Sequence, residues 1–269
     1  MKLSFCSLAS GSSGNCYLVR TESTAILVDA GISGRRIFAG LAALGMNQED
    51  VDGVLITHEH IDHIKSVQML AKKLENAKFF ASAGTWNAAG ELRKCLESAQ
   101  CGEVAAKRIF KIGDIMVTPF SLSHDAAEPT GYSFAAGKSK LSIVTDTGII
   151  TEEIHEAIRD SELLVIEANH DVHMLEFCRY PYSVKRRILG ELGHLSNDAA
   201  ASEICRICEE TGEYREVLLA HLSKENNFPE MAYQTVKNLL EEHEIYIGKH
   251  LNLHIMKRDE LSPVFTLGK

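Results

Sequence analysis

Short apolar runs alternate along the whole chain with stretches whose apolar residues recur every three or four positions. The first pattern suits strands and the second suits helices. KLSFCSL (2–8), NCYLV (15–19) and TAILVDAG (24–31) read as strands, the last two as a hairpin. RRIFAGLAALG (35–45) reads as a helix that stops at a glycine. DGVLIT (52–57) is a short buried strand, HIKSVQMLAKKLE (63–75) an amphipathic helix, KFFAS (78–82) a strand and TWNAAGELRKCLES (85–98) a helix. The middle is strand-rich, with KRIFKI (107–112), DIMVTPFSL (114–122), GYSFAA (131–136) and LSIVTDTG (141–148). Helices at 150–160, 182–192, 197–210 and 229–243 then alternate with strands at 163–169, 216–223 and 251–256. Two β-rich blocks with flanking helices predict an α/β layered sandwich, two mixed sheets packed face to face with helices outside.

The totals refine this picture. With 269 residues, 45% of them hydrophobic, the chain can bury a large core without disulfides, and one domain over 1–269 is expected. No apolar run approaches the ~20 residues that span a bilayer. The opening MKLSFCSLASGSSGNC lacks the apolar stretch of a signal peptide, so the cytoplasm is the expected location. The seven cysteines, at 6, 16, 95, 101, 178, 205 and 208, are odd in number and scattered, unlike a disulfide framework. Cys205 and Cys208 form a C-x-x-C, read here as two small apolar residues on a helix face. The net charge of −9 argues against a broad nucleic-acid-binding surface, so any polyanion must be held locally.

The chemistry concentrates in LITHEHIDHI. Three histidines and one aspartate, His58, His60, Asp62 and His63, fall within six residues just after a buried strand. Extended backbone points residues two apart to one side, so His58 and His60 face together. Imidazole with carboxylate suits Zn²⁺, Mn²⁺ or Fe, and the lack of nearby cysteine argues against a structural zinc. His124, Asp146, His221 and Asp29 each follow an apolar strand in the same manner. Glu167 ends another buried strand, and His194 sits in a loop that leads into a helix.

On these residues the chain resembles the metallo-β-lactamase superfamily, whose signature H-x-H-x-D-H stands at His58 to His63. The resemblance implies a four-layer αββα sandwich and two divalent metal ions. One would be held by His58, His60 and His124, the other by Asp62, His63 and His221, with Asp146 shared. It makes Asp29 an aspartate that orients ligand histidines rather than binding metal. An aspartate at 146 is more like the phosphodiesterase and nuclease branches. Glu167 and His194 are similar to a glutamate–histidine dyad of tRNA-processing endonucleases that helps protonate a leaving oxygen. A structural histidine with a buried acceptor is the alternative for that pair. The segments SLASGSSGNCYLV, ITHEHIDHIKSV, SHDAAEPTGY, TDTG, EANHD, YPYSVKRRILGELGHLSN and LAHLSKENN together resemble the bacterial YycJ/WalJ subfamily over nearly the whole chain. That resemblance implies a cytoplasmic metal-dependent DNA 5′-to-3′ exonuclease, in which Asp62 orients a hydroxide shared by the metals.

Weaker features keep two readings each. The loop SLASGSSGNC offers Ser12, Ser13, Asn15 and its backbone N–H groups as a phosphate cradle, or is a flexible connection. Lys185, Arg186 and Arg187 grip a nucleic-acid backbone, or form a solvated helix face. His170, Asp171 and His173 are expected on the rim or just behind the ligands, and Tyr132 and Lys224 in the pocket lining. Competing activities are hydrolysis of a small or cyclic phosphodiester, hydrolysis of a thioester or lactam on the same scaffold, and a non-enzymatic metal-binding module. No membrane partner is expected.

Overall fold

Alternating runs become strands and three-to-four-spaced runs become helices in the computed structural model, which describes residues 2–94, 96 and 100–268. The chain divides into two compact units, residues 1–121, 126–139 and 257–269 forming one and residues 122–125 and 140–256 the other.

In the first unit, β1 (Leu3–Ala9), β2 (Cys16–Arg20), β3 (Ala25–Val28), β4 (Gly53–Leu55), β5 (Lys78–Ser82), β6 (Cys101–Val104) and β14 (Phe265–Leu267) form a mixed sheet in the order β14-β1-β2-β3-β4-β5-β6. The predicted hairpin is the antiparallel pair β2–β3, with Tyr17 opposite Val28. Strands β3 to β6 run parallel. Helices α1 (Gly34–Ala43), α2 (Ile61–Ile64), α3 (Val67–Ala71), α4 (Ala83–Ala88) and α5 (Gly90–Arg93) follow these strands. Leu18, Leu27, Val54 and Phe79 from the sheet join Ile37, Leu41, Leu70 and Trp86 in one buried apolar cluster. Three antiparallel strands, β7 (Phe110–Ile112), β8 (Ile115–Ser121) and β9 (Thr130–Ala136), complete the unit. The helix predicted over 63–75 is broken instead. Ser66 gives its amide to the Ala30 carbonyl and its hydroxyl to the Ile32 carbonyl, and these bonds interrupt the ladder between α2 and α3. The helix predicted over 85–98 divides into α4 and α5, and Cys95 and residues 97–99 lie outside the described residues.

In the second unit, β10 (Ser139–Val144), β11 (Leu163–Glu167), β12 (Arg215–Ala220) and β13 (Leu251–Ile255) run parallel. All five residues of β11 are buried, the near-continuous apolar run expected of a strand covered on both faces. The helices are α6 (Glu152–Ile158), α7 (Val172–Phe177), α8 (Tyr182–Leu189), α9 (Asn197–Thr211) and α10 (Pro229–Glu242). Helix α9 packs on α10 and on β11, and α10 also packs on β13. The Cys205 thiol of α9 is buried and lies against the Leu239 carbonyl of α10, and burial pushes its pKa up to about 11. That suits the packing role expected of it, because a thiol held protonated is a poor nucleophile. Among the described residues, no helix is long and apolar enough to cross a membrane.

A buried amide pair fixes the chain just beyond β11. Asn227 Nδ2 lies 2.9 Å from the Ala168 carbonyl and 2.8 Å from Asn197 Oδ1, with all three residues buried. Asn227→Ala is expected to lower stability by about 1–3 kcal/mol, because the Ala168 carbonyl keeps its desolvation cost without a partner. Denaturant unfolding monitored by circular dichroism checks this.

Candidate functional site

Each unit carries one group of the predicted residues, placed at the carboxyl ends of parallel strands, where α/β sheets put their sites.

In the first unit the turn after β4 carries His58, His60, Asp62 and His63. A buried carboxylate organises it. Asp29 follows β3 with φ of 61° and is fully buried. Its Oδ1 accepts the Thr57 backbone amide at 2.9 Å, and its Oδ2 accepts the Thr57 hydroxyl at 2.9 Å and His63 Nδ1 at 2.7 Å. His63 therefore carries its proton on Nδ1, which leaves Nε2 as the nitrogen that could hold a metal. Asn15 Nδ2 lies 3.2 Å from that Nε2, and Asp62 Oδ2 lies 3.6 Å from it. Thr57 Oγ1 also stands 3.0 Å from His58 Nδ1. The opposite nitrogen, His58 Nε2, faces His60 Nδ1 at 3.0 Å. Two imidazole nitrogens this close need a proton or a cation to offset their lone pairs, so the donor set fits a metal.

The serine-rich loop braces this turn. The Gly11 amide bonds Asn15 Oδ1, the Gly14 amide bonds the Gly11 carbonyl, and the Asn15 amide bonds the Asp62 carbonyl at 2.9 Å. These three N–H groups are consumed within the protein, which corrects the expectation that they cradle a phosphate. Asn15 is fully buried, whereas Ser12 and Ser13 are exposed. Glycine is required opposite, because a Cβ on Gly31 would sit 1.5 Å from the Asp62 carbonyl oxygen. Tyr132 is buried and donates its hydroxyl to the Ile56 carbonyl at 2.8 Å, a structural bond rather than a place in a pocket lining.

In the second unit β10, β11 and β12 deliver Asp146, Glu167 and His221. Asp146 and His221 adopt positive φ, 64° and 54°, a conformation that Asp and His tolerate better than most side chains. One ligand atom from each of Asp146, Glu167, His194 and His221 lies within 4.8 Å of the others. Glu167 is fully buried and shared. Its Oε1 accepts His221 Nδ1 at 2.7 Å and His194 Nδ1 at 2.8 Å, and its Oε2 accepts the amides of Thr147 and Leu195. Burial alone would raise this carboxyl, but the charge of His194 and the bonds from both imidazoles hold it well below the usual range. Burial in turn opposes charge on His194, and the Glu167 carboxylate overcomes it and raises the imidazole. His221 is tied through Nδ1, so Nε2 is the nitrogen that could hold a metal, and Asp146 Oδ1 lies 3.4 Å from its Nδ1. His124 bonds the Gly193 carbonyl through Nδ1 at 3.0 Å, and its Nε2 lies 3.9 Å from Asp146 Oδ1.

Neighbouring predictions fare differently. Of the three residues expected on the rim or just behind the ligands, His170 is buried, and burial pushes its pKa down to about 4. Asp171 caps α7 by accepting the Met174 amide at 2.8 Å, and the His173 side chain is 86% exposed. Lys185 donates to the Glu176 carbonyl, the Arg186 guanidinium lies 6.0 Å from the centre of the Tyr182 ring, and Arg187 pairs with Asp125. Sequence reading missed Thr57, the Gly193 carbonyl and the bond from Glu167 to His221. The only signal for Thr57 was its place between a buried strand and the first histidine.

A family model described as the beta-lactamase superfamily domain matches residues 24–222, and the chain belongs to that superfamily. It is 41% identical over 254 residues to a Bacillus anthracis protein named exodeoxyribonuclease YycJ, covering 94% of this chain and 95% of that one. It is 37% identical over 263 residues to a protein named exodeoxyribonuclease WalJ from Streptococcus pneumoniae serotype 2 strain D39, covering 96% and 95%. Within the superfamily, the chain belongs to the family of these YycJ and WalJ proteins. Among solved structures, the metallo-β-lactamase fold protein YhfI from Bacillus subtilis matches with a TM-score of 0.70 at 16% identity, over 97% of this chain and 99% of that one. That likeness shows the metallo-β-lactamase fold.

The shared carboxylate separates two roles for Glu167. Glu167→Gln is expected to reduce metal affinity by ~10–100-fold, because a neutral amide with one acceptor oxygen cannot serve both imidazoles and both backbone amides, and the hold on the His221 ring is weakened. His194→Ala is expected to leave metal content near that of the unaltered protein. Metal analysis after dialysis against graded chelator distinguishes them, and equal loss in both variants would refute the anchoring of His221.

Proposed function

We propose that this protein is a metal-dependent phosphodiester hydrolase that degrades DNA from the 5′ end. The observation that carries this reading is 41% identity over 94% of the chain to a protein named as an exodeoxyribonuclease. The H-x-H-x-D-H donors and the buried carboxylates behind them support it.

Two divalent cations, Zn²⁺, Mn²⁺ or Fe, would be held by seven residues. His58, His60 and His124 would bind one, Asp62, His63 and His221 the other, and Asp146 would be shared. When bound, such ions act as Lewis acids toward a phosphoryl oxygen and lower the pKa of water. The protein's own groups do the rest. Asp29 and Thr57 hold His63 in one tautomer and orientation, and Glu167 does the same for His221. Asp62, its side chain 24% exposed, orients the attacking nucleophile. His194 is 22% exposed, so its Nε2 proton can reach the leaving oxygen while Nδ1 stays on Glu167. Pairing with a carboxylate keeps that proton available near neutral pH. Ser12 and Ser13 contact the strand, and the protein works in the cytoplasm. Thioester or lactam hydrolysis on this scaffold expels a thiolate or an amine and would not need His194 as an acid toward an alkoxide.

The test uses 5′-labelled and 3′-labelled duplex DNA with added Mn²⁺ or Zn²⁺. Release of 5′ label as short products is expected, with activity abolished by EDTA and restored by metal. Degradation of neither DNA, alongside turnover of bis-p-nitrophenyl phosphate, would move the assignment to small phosphodiesters. Inertness toward all of them would defeat it. In the same assay the Glu167→Gln, His194→Ala pair should be non-additive in kcat, and simple additivity would count against a dyad.

A further inference from the structure

We infer that α7, α8 and the turn joining them form a stacking platform for single-stranded nucleic acid. This inference rests on the nuclease reading above.

An open cavity of about 560 Å³ lies on this surface, lined by Glu176, Tyr180, Tyr182, Lys185, Arg186 and Leu189. Its volume falls in the range of small-ligand pockets. The segment is unusual in what it exposes. Phe177 is 86% exposed and Tyr182 is 76% exposed, while none of the residues of α8 is buried. Large aromatic rings are normally withdrawn from water; Tyr182 lines the cavity with Tyr180, Phe177 follows the lining residue Glu176 in the chain, and this concentration of exposed rings points to an occupant. Local charge identifies it. Residues 172–190 hold four cations, Arg179, Lys185, Arg186 and Arg187, against one carboxylate, Glu176, in a chain whose net charge is −9. Flat bases stack on exposed rings and phosphates pair with the surrounding cations, a combination that suits a single strand. A paired duplex keeps its base faces covered and offers the rings nothing. The Arg186 guanidinium sits 6.0 Å from the Tyr182 ring centre, which braces the ring and places a cation beside any base that stacks there.

The platform is tied to the reacting groups. The chain leaves α8 at Gly190 and reaches His194 four residues later. In that span the Gly193 carbonyl accepts His124 Nδ1, the Leu192 carbonyl accepts the Asp125 amide, and the Glu191 carbonyl accepts the Ser123 hydroxyl. Arg187 pairs with Asp125. A strand seated on Tyr182 is thus held by the same short segment that positions His124 and His194. This gives the rings a purpose in the reaction: they hold the unpaired end that is being shortened.

Fluorescein-labelled dT20 in EDTA, where cleavage is suppressed, tests this on the full chain by fluorescence anisotropy. Tyr182→Ala and Phe177→Ala are each expected to weaken dT20 binding about 10-fold, the loss of one stacked base. With metal restored, the ratio of dT20 degradation to bis-p-nitrophenyl phosphate hydrolysis should fall by the same factor, since the small substrate is too short to span the platform. Tyr182→Trp supplies a ring of the same kind, and its indole emission should be quenched by dT20 but not by inorganic polyphosphate. Wild-type dT20 affinity in both alanine variants would overturn the platform while leaving the nuclease reading intact. So would quenching by polyphosphate equal to that by dT20, or a loss of binding confined to phosphatidylglycerol vesicles. A wild-type protein that neither binds dT20 nor turns over any phosphodiester would defeat both readings together.

Discussion

A carboxylate buried without water survives only if donors surround it, and Glu167 shows what this constraint does. Its four acceptor contacts come from two backbone amides and two imidazoles. The bonds work in both directions. The imidazoles keep the glutamate ionised, and the glutamate fixes which nitrogen of each ring carries the proton. Asp29 does the same for His63 by bonding its Nδ1 directly, while Thr57 donates to the same carboxylate. A histidine with an unspecified tautomer is a poor ligand and an unreliable acid, so everything proposed for the chemistry depends on these two buried anions.

Backbone conformation reinforces the arrangement. Asp29, Asp146 and His221 all take positive φ immediately beyond parallel strands. Each marks a point where the chain turns off the sheet sharply enough to project a side chain from its end. That conformation is costly for most residues, and it persists here because the surrounding hydrogen bonds over-determine it. The Asp29 amide, for example, is bound to the Leu55 carbonyl at 2.8 Å. Rigid strands thus set the positions, and the buried carboxylates set the orientations.

Much of the fold was legible because apolar periodicity is a local property. The strands at 78–82, 131–136 and 163–169 and the helices at 197–210 and 229–243 stand close to where the pattern predicted them. What escaped was short or lay at an edge. Strands β6 and β14 end the first sheet, pair with one neighbour each and carry few buried residues, so no strong run announced them. Helix α7 has only six residues. The predicted 63–75 helix failed for a different reason, since Ser66 found better partners in the distant Ala30 and Ile32 carbonyls than in its own helix. In the loop SLASGSSGNC the amides of Gly11, Gly14 and Asn15 likewise bond inside the protein, which takes these three N–H groups out of the expected phosphate cradle while Ser12 and Ser13 stay exposed.

The sequence by itself determined the donor types, their order and their place after strands, because ligand chemistry demands particular side chains and strands demand a local pattern. It also determined family membership through residues spread over nearly the whole length. Only the tertiary structure decided which atom each side chain presents. The sharing of Glu167 by His194 and His221, the hold of Asp29 on His63 and the burial of Asn15 join residues 27 to 54 positions apart, or bury a polar group that could equally have faced water. A hydrogen bond depends on distance through space, and no local pattern in the chain encodes that distance.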